Sequence, residues 1–297
     1  MGKVSVPAVR ARKASRGVGA PLVMVTAYDA PGARTADAAG VDLLLVGDSV
    51  AMVVLGHEDT LSVTVDELAH HTRAVRRASP AALVVADLPW LSYHVSVEDT
   101  VRNAAVLIRA GAQAVKLEGG AKRARMIEAL VDAEIPVMGH VGLTPQSMHA
   151  MGGFRVQAKT ADGARALVDE ARAVEAAGAF AVVLEGVPDA AGRMATEALD
   201  VPTIGIGAGA WCDGQVLVYH DVLGLEDRVV PTFVRRYADL KAAGVAALEA
   251  FAADVRGGRF PSAAESYHLR PEEAAALGLD PATGAPPEPD AVAGLYA

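Results

Sequence analysis

Short apolar runs alternate with longer segments of helical periodicity along most of the chain. The runs are continuously apolar, with no polar residue at every second position, as expected of strands that are buried on both faces of a sheet. The longer segments mix Ala, Arg, Glu and Leu at helical spacing, and several end at a glycine, as helices commonly do. We predict eight strands, at residues 22–27, 42–46, 82–86, 114–117, 135–138, 180–184, 203–206 and 215–219.

Repeated strand–helix units of this kind predict a parallel sheet. Eight strands favour a closed (β/α)8 barrel, an α/β fold, over an open doubly wound sheet. We expect one barrel domain over residues 19–262, a basic N-terminal arm at 1–18 and an acidic, Ala/Pro-rich C-terminal tail at 263–297. Residues 142–160 form a long Gly- and Gln-bearing loop, and loops of this length are often functional. Helices are predicted at 31–39, 65–78, 97–110, 121–133, 162–177, 189–199 and 235–257.

Composition excludes several classes of protein. The 297 residues carry a net charge of -9, so the phosphate attraction that drives nucleic-acid binding is missing. The single cysteine, Cys212, forms no intramolecular disulfide and supplies no cysteine-based metal site. The richest apolar run, 41–55, is interrupted by Asp42 and Asp48, so we expect no membrane span. These features predict a cytoplasmic protein that acts on small molecules.

Ionisable and hydroxyl side chains stand at the carboxyl ends of five successive runs. The carboxyl ends of parallel barrel strands form one mouth, where barrel enzymes place their chemistry, so we expect these side chains to share one pocket. A single aspartate at a strand end is most often a helix cap, but that explanation does not account for five ends in succession. The residues are Asp48 and Ser49, Asp87, Lys116 and Glu118, His140, and Glu185.

The residue types at this mouth indicate a hard metal ion and a proton acceptor. Asp48, Asp87 and Glu118 supply oxygen ligands without a thiolate, which suits magnesium. Lys116 and Glu118 are two residues apart, so both side chains should point to the same face of their strand, into the pocket. A surface ion pair is the alternative for these two residues. Glu185 emerges from an apolar run and is a candidate general base.

Two weaker signals lie outside this set. The glycines of GIGAG at 205–209 lack the full dinucleotide fingerprint, and we interpret them as a place where the backbone approaches a ligand closely. Cys212 has no nearby base in the sequence, so we expect a packed side chain and not a nucleophile.

Eight segments closely resemble the ketopantoate hydroxymethyltransferase family, in matching order from about residue 20 to His268. They are VTAYD at 25–29, LVGDS at 45–49, ADLP at 86–89, VKLEG at 115–119, GHVGLTPQS at 139–147, VLE at 183–185, and IGIGAG at 204–209 with DGQ at 213–215. The resemblance implies a barrel of the phosphoenolpyruvate/pyruvate superfamily that assembles as a homodecamer of two pentameric rings. It also implies transfer of a hydroxymethyl group from 5,10-methylenetetrahydrofolate to 3-methyl-2-oxobutanoate, through a magnesium-stabilised enolate, in pantothenate biosynthesis.

The resemblance further implies roles for the residues at the mouth. Glu185 would accept the C3 proton, and His140 would line the same pocket. Magnesium would be held, directly or through water, by Asp48, Asp87 and Glu118, and the 2-oxo acid would be held by Asp48, Ser49, Asp87, Lys116 and His140.

Two other functions remain open from the residues alone. A magnesium-dependent 2-oxo acid lyase or mutase of the same superfamily would share the carboxylates and need no folate, so folate dependence separates the two enzymes. A non-catalytic binding protein would have no need for a metal together with a base in one mouth.

Overall fold

The computed structural model describes residues 2–15, 19–78, 80–226 and 231–280. Within these residues, eight parallel strands close into a barrel in sequence order, and β1 pairs with β8. This confirms the predicted (β/α)8 fold and all eight strands. The strands are β1 (Leu22–Thr26), β2 (Leu43–Val46), β3 (Leu83–Asp87), β4 (Ala114–Glu118), β5 (Val137–Gly142), β6 (Ala181–Glu185), β7 (Thr203–Ile206) and β8 (Gly214–Leu217).

One strand boundary differs from the prediction in a way that matters for the site. We expected the fifth strand to end at Met138 with His140 after it, but β5 continues to Gly142. His140 therefore lies inside the strand, where its backbone pairs with Glu118 of β4. The extension contains polar His140 and two glycines, so it lacks the continuous apolar character that predicts a buried strand.

The described residues form twelve α-helices, most of which lie between consecutive strands. They also include short 3-10 helices at Arg12–Ser15, Ala121–Arg123, Pro145–Ser147 and Ala263–Glu265. The α-helices are α1 (Val6–Ala11), α2 (Ala30–Ala38), α3 (Val50–Val53), α4 (Val65–Arg77), α5 (Val97–Ala110), α6 (Ala124–Asp132), α7 (Met148–Met151), α8 (Ala161–Ala176), α9 (Asp189–Ala198), α10 (Tyr219–Leu223), α11 (Leu240–Arg256) and α12 (Pro271–Ala276).

Local sequence explains where the main helices begin and end. α4 starts with a capping box, in which the Thr64 side chain accepts from the Glu67 N–H and the Glu67 carboxylate accepts from the Thr64 N–H. Ser96 caps α5 in a similar way, by accepting from the N–H of Asp99. α5 ends at Gly111, whose φ of 113° lies in the left-handed region that favours glycine.

The barrel interior is apolar at its base and ionisable at its mouth. Alternate residues of each strand point inward, and those near the strand starts, such as Leu43, Leu83 and Met138, form one buried cluster. Two or four positions further along, the same inward faces carry the charged side chains. A second, larger buried cluster fills the space between the strands and the surrounding helices, which is why the strand sequences are apolar on both faces.

The described part of the predicted basic arm is folded against the barrel. Val9 of α1 is fully buried and belongs to the cluster at the base of the barrel interior. The Val4 N–H donates to the Ala81 carbonyl at 2.8 Å, and Lys13 pairs with Asp213 at 2.9 Å. Residues 16–18 lie outside the described residues, and the arm boundary at residue 18 stays a prediction.

The chain divides into two compact units, Met1–Ala238 and Asp239–Ala297. The described part of the second unit contains α11 and α12. The predicted boundary at residue 262 stays a prediction, and residues 281–297 of the predicted tail lie outside the described residues. Within the described ranges, no helix is both long and apolar enough to cross a membrane.

Candidate active site

Strand register brings the predicted residues to neighbouring positions at the mouth. Asp87, the last residue of β3, pairs with Lys116 of β4, and Glu118, the last residue of β4, pairs with His140 of β5. Glu185 ends β6 beside the last residue of β5. Because these positions share the inward face of adjacent strands, their side chains meet although the residues are far apart in sequence.

Asp48 and Ser49 reach the same mouth through the turn after β2. The Asp48 N–H donates to Asp87 Oδ2 at 3.0 Å, and Ser49 Oγ lies 2.8 Å from the hydroxyl of Tyr28. Gly47 allows this turn, because a Cβ there would lie 2.9 Å from Ser49 Oγ and 3.5 Å from Asp87 Oδ2. A side chain at position 47 would therefore crowd Ser49 and touch Asp87.

Lys116 is the buried cation at the centre of the cluster. Its Nζ lies 3.0 Å from Asp87 Oδ1, 3.3 Å from His140 Nδ1 and 4.0 Å from Glu118 Oε1. Burial alone would lower the pKa of Lys116, but the charges of Asp87 and Glu118 outweigh it and raise the pKa above its ordinary value. Lys116 is therefore charged at neutral pH, and the alternative of a surface ion pair with Glu118 is wrong.

His140 bridges two carboxylates. Its Nδ1 lies 3.4 Å from Glu118 Oε1, and its Nε2 lies 3.2 Å from Glu185 Oε2. Burial and the charge of Lys116 would lower the pKa of His140, but Glu118 and Glu185 raise it to about 9. A protonated imidazole consequently stands between a buried carboxylate and Glu185, whose side chain is 16% exposed and so can reach a substrate.

The pKa values of the three buried carboxyl groups, Asp48, Asp87 and Glu118, shift in different directions. Burial raises the pKa of Asp48 well above its ordinary value, and the charges of Asp87 and Glu118 add to the effect. Burial also raises the pKa of Asp87, although Lys116 opposes the shift. The pKa of Glu118 is lowered in spite of its burial, because His140 donates to it. Asp48 and Asp87 would therefore gain most from an additional positive charge.

The residues at the mouth fit a divalent cation. Four carboxyl groups, those of Asp48, Asp87, Glu118 and Glu185, lie around the two basic groups Lys116 and His140, so acidic side chains outnumber basic ones at the mouth. Asp87 Oδ1 is buried, and no described residue donates a hydrogen bond of acceptable geometry to it.

The described ranges hold no group of three His, Cys, Asp or Glu side chains arranged as a ready-made metal cage.

Gln146 and Tyr93 belong to the site, and the residue-by-residue analysis did not single them out. Gln146 Nε2 donates to Asp48 Oδ2 at 2.8 Å, and the Gln146 N–H donates to Glu118 Oε2 at 3.0 Å. The Tyr93 hydroxyl donates to Gln146 Oε1 at 2.5 Å and accepts from the Glu118 N–H at 3.2 Å. The sequence signals for Gln146 are its place in the long loop after β5 and in the family-resembling segment GHVGLTPQS at 139–147.

The two weaker sequence signals have structural explanations. A Cβ at Gly207 would lie 2.6 Å from the ring of Phe233, and one at Gly209 would lie 2.4 Å from Cβ of Asp189. Close packing against the protein's own side chains accounts for these two glycines, and the close approach to a ligand expected for the segment 205–209 stays a prediction. Cys212 is buried in the larger cluster, as predicted.

A closed parallel barrel with these ionisable groups at its mouth is typical of a (β/α)8 barrel enzyme. A solved 2,3-dimethylmalate lyase, described as a member of the PEP mutase/isocitrate lyase superfamily, shares the fold with a TM-score of 0.57 at 19% identity, covering 91% of this chain and 93% of the lyase. A family model described as ketopantoate hydroxymethyltransferase matches residues 3–263. The chain belongs to this family.

Two relatives of the chain carry the name 3-methyl-2-oxobutanoate hydroxymethyltransferase. The relative from Moorella thermoacetica is 57% identical over 89% of this chain and 98% of its own length. The relative from Oleidesulfovibrio alaskensis is 54% identical over 89% of this chain and 91% of its own length. These identities far exceed the 19% shared with the lyase, so they separate the transferase from the lyase alternative.

Proposed function

We propose that this chain transfers a hydroxymethyl group from 5,10-methylenetetrahydrofolate to C3 of 3-methyl-2-oxobutanoate, which consumes one water and gives 2-dehydropantoate and tetrahydrofolate. The observation that carries the proposal is the arrangement at the mouth. A buried lysine can bind the carboxylate of a 2-oxo acid, and three carboxyl groups beside it can hold a metal ion that the acid chelates. The partly exposed Glu185 lies next to these groups and contacts the charged His140.

The cofactor in this proposal is magnesium. Asp48 and Asp87 would hold the ion, and Glu118 would contribute through water because its oxygens already contact Lys116, His140 and Gln146. When bound, magnesium supplies a Lewis acid for the keto oxygen of the substrate. The buried Asp87 Oδ1 and the raised pKa of Asp48 support this assignment.

Lys116 and Ser49 would bind and orient the 2-oxo acid. The Lys116 ammonium offsets the cost of bringing a carboxylate into an acidic pocket. Ser49 Oγ, fixed by Tyr28, offers a hydroxyl at the rim of the site. Asp87 holds Lys116 at 3.0 Å, so the position of the ammonium is set before the substrate arrives.

Glu185 would remove the proton from C3. His140 Nε2 lies 3.2 Å from Glu185 Oε2, so the charged imidazole orients the Glu185 carboxyl group. The carbanionic C3 then forms a bond to the one-carbon unit of the donor. His140 is a positioning residue in this scheme, and Glu185 is the group that touches the reacting atoms.

The direct test is formation of 2-dehydropantoate by the purified protein, with each component omitted in turn. We expect product only when the oxo acid, 5,10-methylenetetrahydrofolate and magnesium are all present. If the protein cleaves or rearranges a 2-oxo acid without folate, the lyase or mutase alternative is correct.

Gln146→Ala is expected to weaken magnesium and oxo-acid binding by about 10-fold to 100-fold, the usual cost of losing a group that orients metal ligands. The substitution removes the donor to Asp48 Oδ2 and leaves that buried carboxylate without its hydrogen bond. Magnesium titrations by calorimetry and the KM for the oxo acid measure the effect. Gln157→Ala is a matched control on the same loop, because the Gln157 side chain donates only to the Arg155 carbonyl. Equal affinities in the two variants would contradict the role given to Gln146.

We also propose that the chain assembles as a homodecamer of two pentameric rings and works in the cytoplasm. The family resemblance suggests both. Light scattering tests the assembly. We expect a particle of ten 30.5 kDa chains, and a monomer or dimer at micromolar concentration would contradict the proposal.

A further inference from the structure

A second group of polar side chains borders the mouth and has no part in the chemistry described above. It consists of His94, in the loop after β3, and Lys122 and Arg123, in the 3-10 helix after β4; we call it the basic cluster. A Cβ placed on Gly119 would lie 2.9 Å from Arg123 Cγ and 3.4 Å from Lys122 Cε. Both basic side chains therefore pack beside the residue that directly follows Glu118.

The basic cluster is joined to the catalytic groups through Tyr93. The Arg123 guanidinium lies 5.6 Å from the centre of the Tyr93 ring, and the His94 ring lies 4.3 Å from it. The hydroxyl at the other end of Tyr93 contacts Gln146 and the Glu118 N–H. A molecule bound on the basic cluster would consequently extend toward the substrate pocket.

Apart from their ring contacts with Tyr93, the side chains of the cluster lack hydrogen-bond and ion-pair partners among the described residues. Arg123 Nε and His94 Nδ1 are both buried and make no hydrogen bond there. No ion pair in that part of the chain involves Arg123 or Lys122, although the protein as a whole carries a net charge of -9. Buried polar atoms are normally hydrogen-bonded, so the unsatisfied Arg123 Nε donor and the unsatisfied His94 ring nitrogen beside the mouth indicate a missing partner that can accept from Arg123.

The electrostatic environment of His94 is dominated by the positive charges of Arg123 and Lys122. The pKa of His94 is lowered to about 4, first by burial and then by the charges of Arg123 and Lys122. His94 is therefore neutral at pH 7, and a neutral imidazole can still donate one hydrogen bond to an anion. A bound carboxylate would offset the positive charges of Arg123 and Lys122, which disfavour protonation of His94.

The loop that carries His94 also exposes an apolar surface. Trp90 is 42% exposed, Leu91 is 50% exposed and Val95 is 68% exposed. Leu91 has a φ of 71°, a strained left-handed conformation for a leucine, and such strain is concentrated at binding sites. An aromatic group could pack on this surface while anionic groups reach the basic cluster.

We propose that the basic cluster of His94, Lys122 and Arg123 binds the glutamate carboxylates of the one-carbon donor. The inference rests on the proposed function, because that reaction requires a second substrate with an aromatic body and an anionic tail. The 2-oxo acid does not fill this role, since its single carboxylate is met by Lys116. The cluster lies at the rim and is partly open, which suits a tail that carries additional glutamates into solvent.

Steady-state kinetics with three donors test the inference. The donors are 5,10-methylenetetrahydropteroate, which has no glutamate, 5,10-methylenetetrahydrofolate with one glutamate, and the same compound with three glutamates. For the unmodified protein we expect the donor KM to fall as glutamates are added. Two variants are compared, Arg123→Gln and the double variant Lys122→Gln/Arg123→Gln. In both, the KM for donors that carry glutamate should rise by about tenfold or more, the effect of losing a hydrogen bond to a charged group. The KM for methylenetetrahydropteroate, which has no glutamate, should stay unchanged.

The controls separate failure of this inference from failure of the proposed function. Arg125→Gln removes the same charge from an exposed position two residues further on, and its donor KM should match that of the unmodified protein. An unchanged donor KM in the double variant, or an equal rise for the donor that lacks glutamate, overturns the inference while the transferase activity stands. Absence of transfer from every donor by the unmodified protein overturns the proposed function itself. Donor-independent exchange of the oxo-acid C3 proton shows that each variant retains a folded substrate pocket.

Discussion

Glu185→Gln is expected to lower the rate of C3 proton exchange in 3-methyl-2-oxobutanoate by about 100-fold to 10,000-fold, the range usual for a removed general base. Glutamine keeps the size and polarity of the side chain but cannot accept the proton. The buried groups that would bind the metal and the oxo acid are untouched, because Glu185 contacts only His140 among them. Magnesium and oxo-acid affinity should therefore stay within a few-fold of the unmodified protein. The exchange rate is measured by proton NMR in deuterated buffer without folate.

Two further variants make this result specific. Glu128→Gln removes an exposed carboxylate from α6, and this variant should exchange the substrate C3 proton at the rate of the unmodified protein. His140→Gln should lower exchange and leave a residual rate above that of Glu185→Gln, because His140 orients the base and does not touch C3. Exchange by Glu185→Gln at the rate of the unmodified protein would mean that another group is the base.

Lys116→Gln is expected to destabilise the fold by about 3–5 kcal/mol, as when one partner of a buried charged pair is removed. Lys116 is 4% exposed and is the cation nearest to Asp87, so its loss leaves buried carboxylates without compensation. We also expect oxo-acid binding to be lost, because the same ammonium would meet the substrate carboxylate. Urea denaturation followed by circular dichroism measures the free energy of unfolding.

The matched comparison uses a lysine without such contacts. Lys159→Gln replaces an exposed side chain and should change the free energy of unfolding by less than about 0.5 kcal/mol. Adding Asp87→Asn to Lys116→Gln should restore part of the stability, since it removes one of the uncompensated charges. If Lys116→Gln is as stable as Lys159→Gln, the ammonium is not the charge that balances the mouth.

The sequence predicted the barrel and most of the charged mouth because two simple periodicities operate there. Strands buried on both faces must be apolar throughout, so a charged residue at the end of such a strand stands out, as Asp87, Lys116 and Glu185 do. The two-residue spacing of Lys116 and Glu118 also predicted their common inward face, which the contact of both with His140 confirms.

What the sequence did not reveal depends on neutral residues and long-range contacts. Gln146 is uncharged and lies in a loop, and its contact with Asp48 joins positions 98 residues apart. The sequence predicts His140 after its strand and not within it, because a polar residue flanked by glycines gives no strand signal. The basic cluster gives no sequence signal, since two consecutive basic residues at the start of a helix are common on any surface.

The measurement that tests the central claim most directly is proton NMR of 3-methyl-2-oxobutanoate in deuterated buffer with the purified protein and magnesium, first without and then with 5,10-methylenetetrahydrofolate. The proposed site predicts loss of the C3 proton signal before the donor is added, followed by donor-dependent appearance of 2-dehydropantoate. No exchange and no product from folded protein with magnesium present would contradict it, and would mean that these residues serve a different substrate.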